Sequence, residues 1–143
     1  MTERRRTPDA RPVDVLHQLR ERLHTNERDG LADMMAPDGA IEWPFRRGET
    51  PERIEGRDNI RDYLRNSPMA GLIYIEDLRP DAVYETSDPE VIVAETTTIG
   101  RMVATGVRFE LHAIAILRIR GGEIVLYRDY INPFAAAEAV RGS

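Results

Sequence analysis

VRFELHAIAILRIR, residues 107–120, is the stretch on which the fold turns. Its odd positions, Val107, Phe109, Leu111, Ala113, Ala115, Leu117 and Ile119, are all apolar. Its even positions, Arg108, Glu110, His112, Ile114, Ile116, Arg118 and Arg120, are mostly polar. A period of two held this long means a strand with one buried face. Gly121-Gly122 then makes a hairpin, and residues 123–131 return alongside. Toward the N-terminus, Ala104-Thr105-Gly106 is a turn and Val91 to Met102, β-branched and threonine-rich, is the preceding strand. Ser87-Asp88-Pro89 is a further turn, and Leu72 to Tyr84 is a long strand broken or bulged near Pro80. Beyond the hairpin, Pro133 opens a short helix through FAAAEAV.

Helical signals lie mostly before this meander. Pro12 fits a first helical turn, with Asp14 near the positive end of the dipole. Val13, Leu16, Leu19 and Leu23 mark a helical stripe to about Asn26, with His17 and His24 off it and exposed. A second short helix carries Leu31, Met34 and Met35 and stops at Pro37. Residues 40–45, AIEWPF, alternate as a short strand with Ile41, Trp43 and Phe45 on one face and Glu42 turned away. The loop RRGETPERIEG follows, and a third helix carries Ile60, Tyr63 and Leu64, with Asp58 as N-cap and Ser67-Pro68 as its end. Helices before an antiparallel meander must cover one face of a strongly bent sheet, so the fold class is α+β. Ala113 and Ala115, small residues in the middle of the inner face, leave room for a pocket; Trp43 and Phe109 filling the gap is the alternative.

At 143 residues one domain is expected, with a charged, Pro-bearing disordered arm over 1–11 and the domain over 12–143. The absence of cysteine excludes disulfides, thiol nucleophiles and cysteine metal sites, and three histidines without metal-ligand spacing make a histidine metal centre improbable. The basic N-terminus has no apolar run behind it and no stretch is long enough to span a bilayer, so a cytoplasmic location is expected. All twenty basic residues are Arg, which fits GC-rich codon usage. With a net charge of −5 and Arg alternating with Asp and Glu, neither nucleic acid nor a membrane is an expected partner.

The last strand carries the chemistry. In YRDYINPF, residues 127–134, period two puts Val125, Tyr127, Asp129 and Ile131 on one face. If that face is the inner one, Asp129 is a carboxylate in an apolar pocket, with its pKa raised toward the range useful for proton transfer. If the strand twists, Asp129 instead meets an Arg or water. Thr96 and Thr98 share a face and could hydrogen-bond a substrate oxygen, although threonine in a strand also follows from propensity. Trp43, Phe45, Tyr63, Ala113, Ala115 and Tyr127 complete the candidate pocket wall; the two tyrosines could equally be core residues with a satisfied hydroxyl. His112 lies on the polar face, which with Ile114 and Ile116 suits a sheet-to-sheet homodimer contact.

APDGAIEWPF, IEGRDNIRDYL and GGEIVLYRDYINPF together resemble the SnoaL-like branch of the nuclear-transport-factor-two-like superfamily, over residues 13–141. The resemblance implies a cone-shaped, curved antiparallel sheet (a cystatin-like α+β barrel) with a pocket at its wide end, often dimeric. The base and the protonated acid of ketosteroid isomerase would fall on Trp43 and near Ala115, and its tyrosine near Leu19, so that mechanism is not implied. Limonene-epoxide hydrolase is similar from Glu90 through Asp129. Its final aspartate maps onto Asp129, its arginine and second aspartate onto Thr96 and Thr98, and its tyrosine and asparagine onto Ile41 and Trp43. The phenazine-biosynthesis A/B proteins are similar through ETSDP, the strand with Glu110 and His112, and RDYINPF, with a glutamate acid/base at the position of Asp129. The resemblance thus implies an enzyme acting on a small apolar, cyclic or polyketide-like metabolite by isomerisation, cyclisation or dehydration, without metal or organic cofactor. Epoxide hydrolysis and a non-catalytic binding domain are the alternatives.

Overall fold

A computed structural model of the chain describes residues 10–27, 29–67 and 70–141. The expected arm lies outside them as far as residue 9, as does Pro68. The elements are α1 (Pro12–His24), α2 (Gly30–Met34), β1 (Met35–Glu42), β2 (Arg53–Glu55) and α3 (Arg57–Asn66), then β3 (Ile73–Glu85), β4 (Val91–Met102), β5 (Arg108–Arg120), β6 (Glu123–Ile131) and α4 (Pro133–Arg141). One six-stranded sheet runs in the order β2-β1-β6-β5-β4-β3. No helix among the described residues is long and apolar enough to cross a membrane.

Strand β5 is built as its alternation requires. Phe109, Leu111, Ala115, Leu117 and Ile119 are buried, whereas Glu110, His112 and Ile114 are exposed. It pairs antiparallel with β4 (Ala115 opposite Ala94) and with β6 (Ala115 opposite Asp129). Register shifts in β3 fall between Ile75 and Asp77 and between Pro80 and Ala82, the second at a residue that offers no N–H to the ladder.

Four local expectations change. Met35 is not helical: it begins β1, which runs through Pro37 and pairs parallel with β6, so the sheet is mixed. A parallel neighbour is reached only through a long crossover, here everything from β2 to β5, and no local pattern announces it. The loop after Phe45 contains β2, whose Ile54 pairs with Ile41. The residue before α3 is Gly56, at φ 92, with no side-chain cap, so Asp58 stands two residues past the cap position, within the first turn. In α1 the buried residues are Val15, Leu16, Leu19 and Arg20 instead of a stripe through Val13 and Leu23. That rotation carries an arginine inward.

Two apolar cores occupy the face toward the helices. In the larger, Val15, Leu16 and Leu19 of α1 meet Ile92, Leu117, Ile119 and Ile124 of the sheet and Ile60 of α3. In the smaller, Met102, Phe109 and Leu111 lie under Ala135, Ala136 and Ala139 of α4. Each fully buried large side chain contributes roughly 1.5–3 kcal/mol. Between the two cores the inner face carries Thr96, Thr98, Ala113 and Asp129, all only partly buried.

Candidate active site

Asp129 occupies the row Asp129, Ala115, Ala94 across β6, β5 and β4, so its neighbour across the ladder is the small Ala115, with Ala94 one strand further on. Burial withholds water from the charged form and lifts its pKa to about 6, while a hydrogen bond from Trp43 pulls the other way. The Trp43 ring lies 5.5 Å from that of Tyr63, tilted 48°. Tyr127, two residues before Asp129 on the same face, has its pKa raised by burial first and by Asp129 second; Arg20 opposes both.

Arg20 was not anticipated from the sequence. It reaches from α1 to the sheet, where its Nη2 donates to Thr96 Oγ1 at 2.8 Å. The residue is 8% exposed, and its Nε and Nη1 have no hydrogen-bond partner among the described residues. Desolvation lowers its pKa, partly offset by Tyr127 and Asp81. Its position four residues after Leu16 and next to Leu19 was the available signal, since a charged residue there shares the buried stripe.

The remaining candidates divide. Thr98 faces Leu111 and Thr96 faces Ala113 across the β4–β5 ladder, both on the inner side, and Ala115 is buried within the larger core. Phe45 does not join Trp43. The turn at Pro44 ends the alternation, and Phe45 is 60% exposed with its ring 5.4 Å from Tyr130 on the opposite face.

A cavity of about 760 Å³ also departs from expectation. Its lining comes mainly from the outer face and the adjoining loops, including Phe45, Glu95, His112, Ile114, Tyr130 and Phe134; Thr96 and Ala113 also touch it. Asp129, Trp43, Tyr63, Ala115 and Tyr127 are not on its wall. Of the two alanines expected to leave a hollow, Ala115 joins Val15, Leu16 and Leu19 of α1 in the larger core, whereas Ala113 pairs with Thr96, the residue that Arg20 reaches. His112 stands on the outer face, its Nδ1 2.7 Å from Thr97 Oγ1. The Thr97 hydroxyl donates to Asp81 and accepts from Arg79 at 3.2 Å, so Nδ1 of His112 carries a proton.

A curled six-stranded sheet with helices on one face makes a cone-like α+β scaffold, with the Asp129 carboxylate in the gap between its two cores. The chain belongs to the SnoaL-like domain family, which matches residues 16–127. It is 33% identical over 130 residues to the uncharacterised protein YesE of Bacillus subtilis, covering 91% of this chain and 87% of that protein. It is 32% identical over 128 residues to an uncharacterised PhzA/B-like protein of Pseudomonas aeruginosa, covering 90% and 88%. Among solved structures, a Bacillus subtilis protein assigned as an isomerase superimposes with a TM-score of 0.81 at 27% identity, over 92% of this chain and 93% of that one.

Proposed function

We propose that this SnoaL-like protein is an enzyme that moves a proton on a small, mostly apolar, cyclic or polyketide-like metabolite, in an isomerisation, cyclisation or dehydration. The observation that carries the reading is Asp129, an inner-face carboxylate held near pH 6 by burial. A base works best when its pKa lies near the working pH, and such a group contributes about 10²–10⁴-fold. At neutral pH Asp129 is mostly ionised and can take a proton from carbon next to a carbonyl. The neutral acid so formed is favoured by the same apolar surroundings and can return the proton elsewhere on the substrate. Trp43 orients the carboxylate, and Thr98 or Thr96, on the same inner face, would hydrogen-bond a substrate oxygen. The likeness to a structure assigned as an isomerase supports the reaction class.

The test is exchange of α-protons into deuterium oxide, followed by proton NMR with 2-tetralone and cyclohexanone, for the wild type and Asp129→Asn. The expected outcome is a loss of about 10²-fold or more in the variant. Equal exchange in both proteins would leave a non-catalytic binding domain with Asp129 as a polar anchor. The outer face also fits pairing of two copies: Phe45, Tyr84, Ile114 and Phe134 are each 44–64% exposed there or at its margin.

A further inference from the structure

Arg20 has no task in that proton transfer, and its surroundings do not explain its burial. The guanidinium is 8% exposed yet makes no ion pair among the described residues. Its one hydrogen-bond partner is a neutral hydroxyl, Thr96 Oγ1, and Nε and Nη1 are unmet. A buried cation left unpaired is costly, and an arginine cannot escape the cost by losing its proton. The other polar atoms nearby do not relieve it: Asp81 and Tyr127 act on it through space without touching it. The placement is informative. Thr96 and Asp129 lie on the same inner face, in adjacent rows, with two strand spacings between β4 and β6. Their backbones are therefore separated by on the order of 10 Å, the length of a one- or two-ring molecule. A carboxylate takes two guanidinium donors at once, and the Arg20 fork has donors to spare on both sides of Nη2.

We propose that Arg20 is the anion anchor of this interior site and that the substrate carries a carboxylate at the end remote from the carbon that Asp129 deprotonates. The inference rests on the proton-transfer reading for where the substrate lies, and it adds the substrate's charge. Trp43, the single tryptophan and a hydrogen-bond partner of Asp129, reports occupancy directly. The probes are cyclohexanecarboxylate and its uncharged isostere cyclohexanecarboxamide, titrated into the full chain and read by Trp43 emission and calorimetry. Wild type is expected to bind the carboxylate at least 10-fold more tightly than the amide. Arg20→Met should abolish the preference, and Arg20→Lys should retain part of it. Asp129→Asn should keep the preference while losing proton exchange, which separates the two readings. The Arg20 Nε–H resonance in the wild type should shift on adding the carboxylate and not the amide, a result that needs no variant to fold. Equal affinity for the two probes, failure of both to bind, or an unmoved Nε–H resonance would overturn the assignment. Equal exchange in wild type and Asp129→Asn with the carboxylate preference intact would sink the catalytic reading and leave Arg20 as the anchor of a binding protein.

Discussion

Asp129 links activity and stability with opposite signs. An ordinary aspartate ionises near 3.9, whereas Asp129 keeps its proton up to about 6 in the folded chain. The proposed base would work only when ionised, so the exchange rate should rise between pH 5 and 7 with a midpoint near 6, and Asp129→Asn should flatten that profile. Folding favours the neutral form, so the stabilising contribution is complete below about pH 4 and is lost as pH rises through 6. Above that, the folded protein bears a cost on the order of 2–3 kcal/mol. Thermal unfolding should therefore show Asp129→Asn more stable than wild type at pH 7, with the gap closing by pH 4. A wild type that outlasts the variant at pH 7 would show that the carboxylate is solvated. Arg20 predicts the same trade-off by another route. Its replacement by methionine removes an unpaired buried charge, so denaturant unfolding should give equal stability or a gain of about 1–3 kcal/mol.

At the level of elements, β6 places the site because it lies between β1 and β5. Its β5 side sets Asp129 against Ala115, and its β1 side aligns Tyr127 with Ile41. Just past the end of β1, the chain reaches Trp43 and the Asp129 carboxylate. The β1–β6 register slips between Met35 and Ala40, and Gly39 makes the slip possible. A Cβ there would stand 2.8 Å from Met35 Cε and 2.9 Å from the Ile124 carbonyl oxygen, and the backbone atom cannot swing away. Gly39→Ala should cost about 1–3 kcal/mol in denaturant unfolding and weaken the Trp43–Asp129 contact that depends on this strand. A neutral substitution would mean that β1 can shift its register freely.

Across the whole molecule, the two faces of the sheet have different work. The inner face carries both cores with the polar gap between them; the outer face carries the cavity, the His112–Thr97–Asp81 chain of hydrogen bonds and the exposed aromatic and isoleucine side chains. Ion pairs tie the outer margins: Arg118 and Arg120 hold Glu90, drawing its pKa down to about 2, and Arg128 holds Glu42. If the outer face pairs two copies, light scattering should report twice the 16.3 kDa chain mass, and Ile114→Glu should shift the mass toward one copy while leaving the Trp43 emission unchanged. A monomeric wild type would assign the exposed apolar side chains to another partner.

Much of this was legible along the chain because it is local. The alternation of 107–120, the Gly121-Gly122 turn and the break at Pro80 each depend on neighbours a few residues away, and so does the side of β6 on which Asp129 stands. Long-range contact settled the remainder. The parallel β1–β6 pair joins segments more than eighty residues apart, the Pro44 turn sends Phe45 to the far face, and Arg20 finds Thr96 across seventy-six residues of chain. No periodicity encodes such meetings, because which side chain fills a gap depends on how a helix is rotated over the sheet. Here that rotation brought a guanidinium to Thr96 on the inner face.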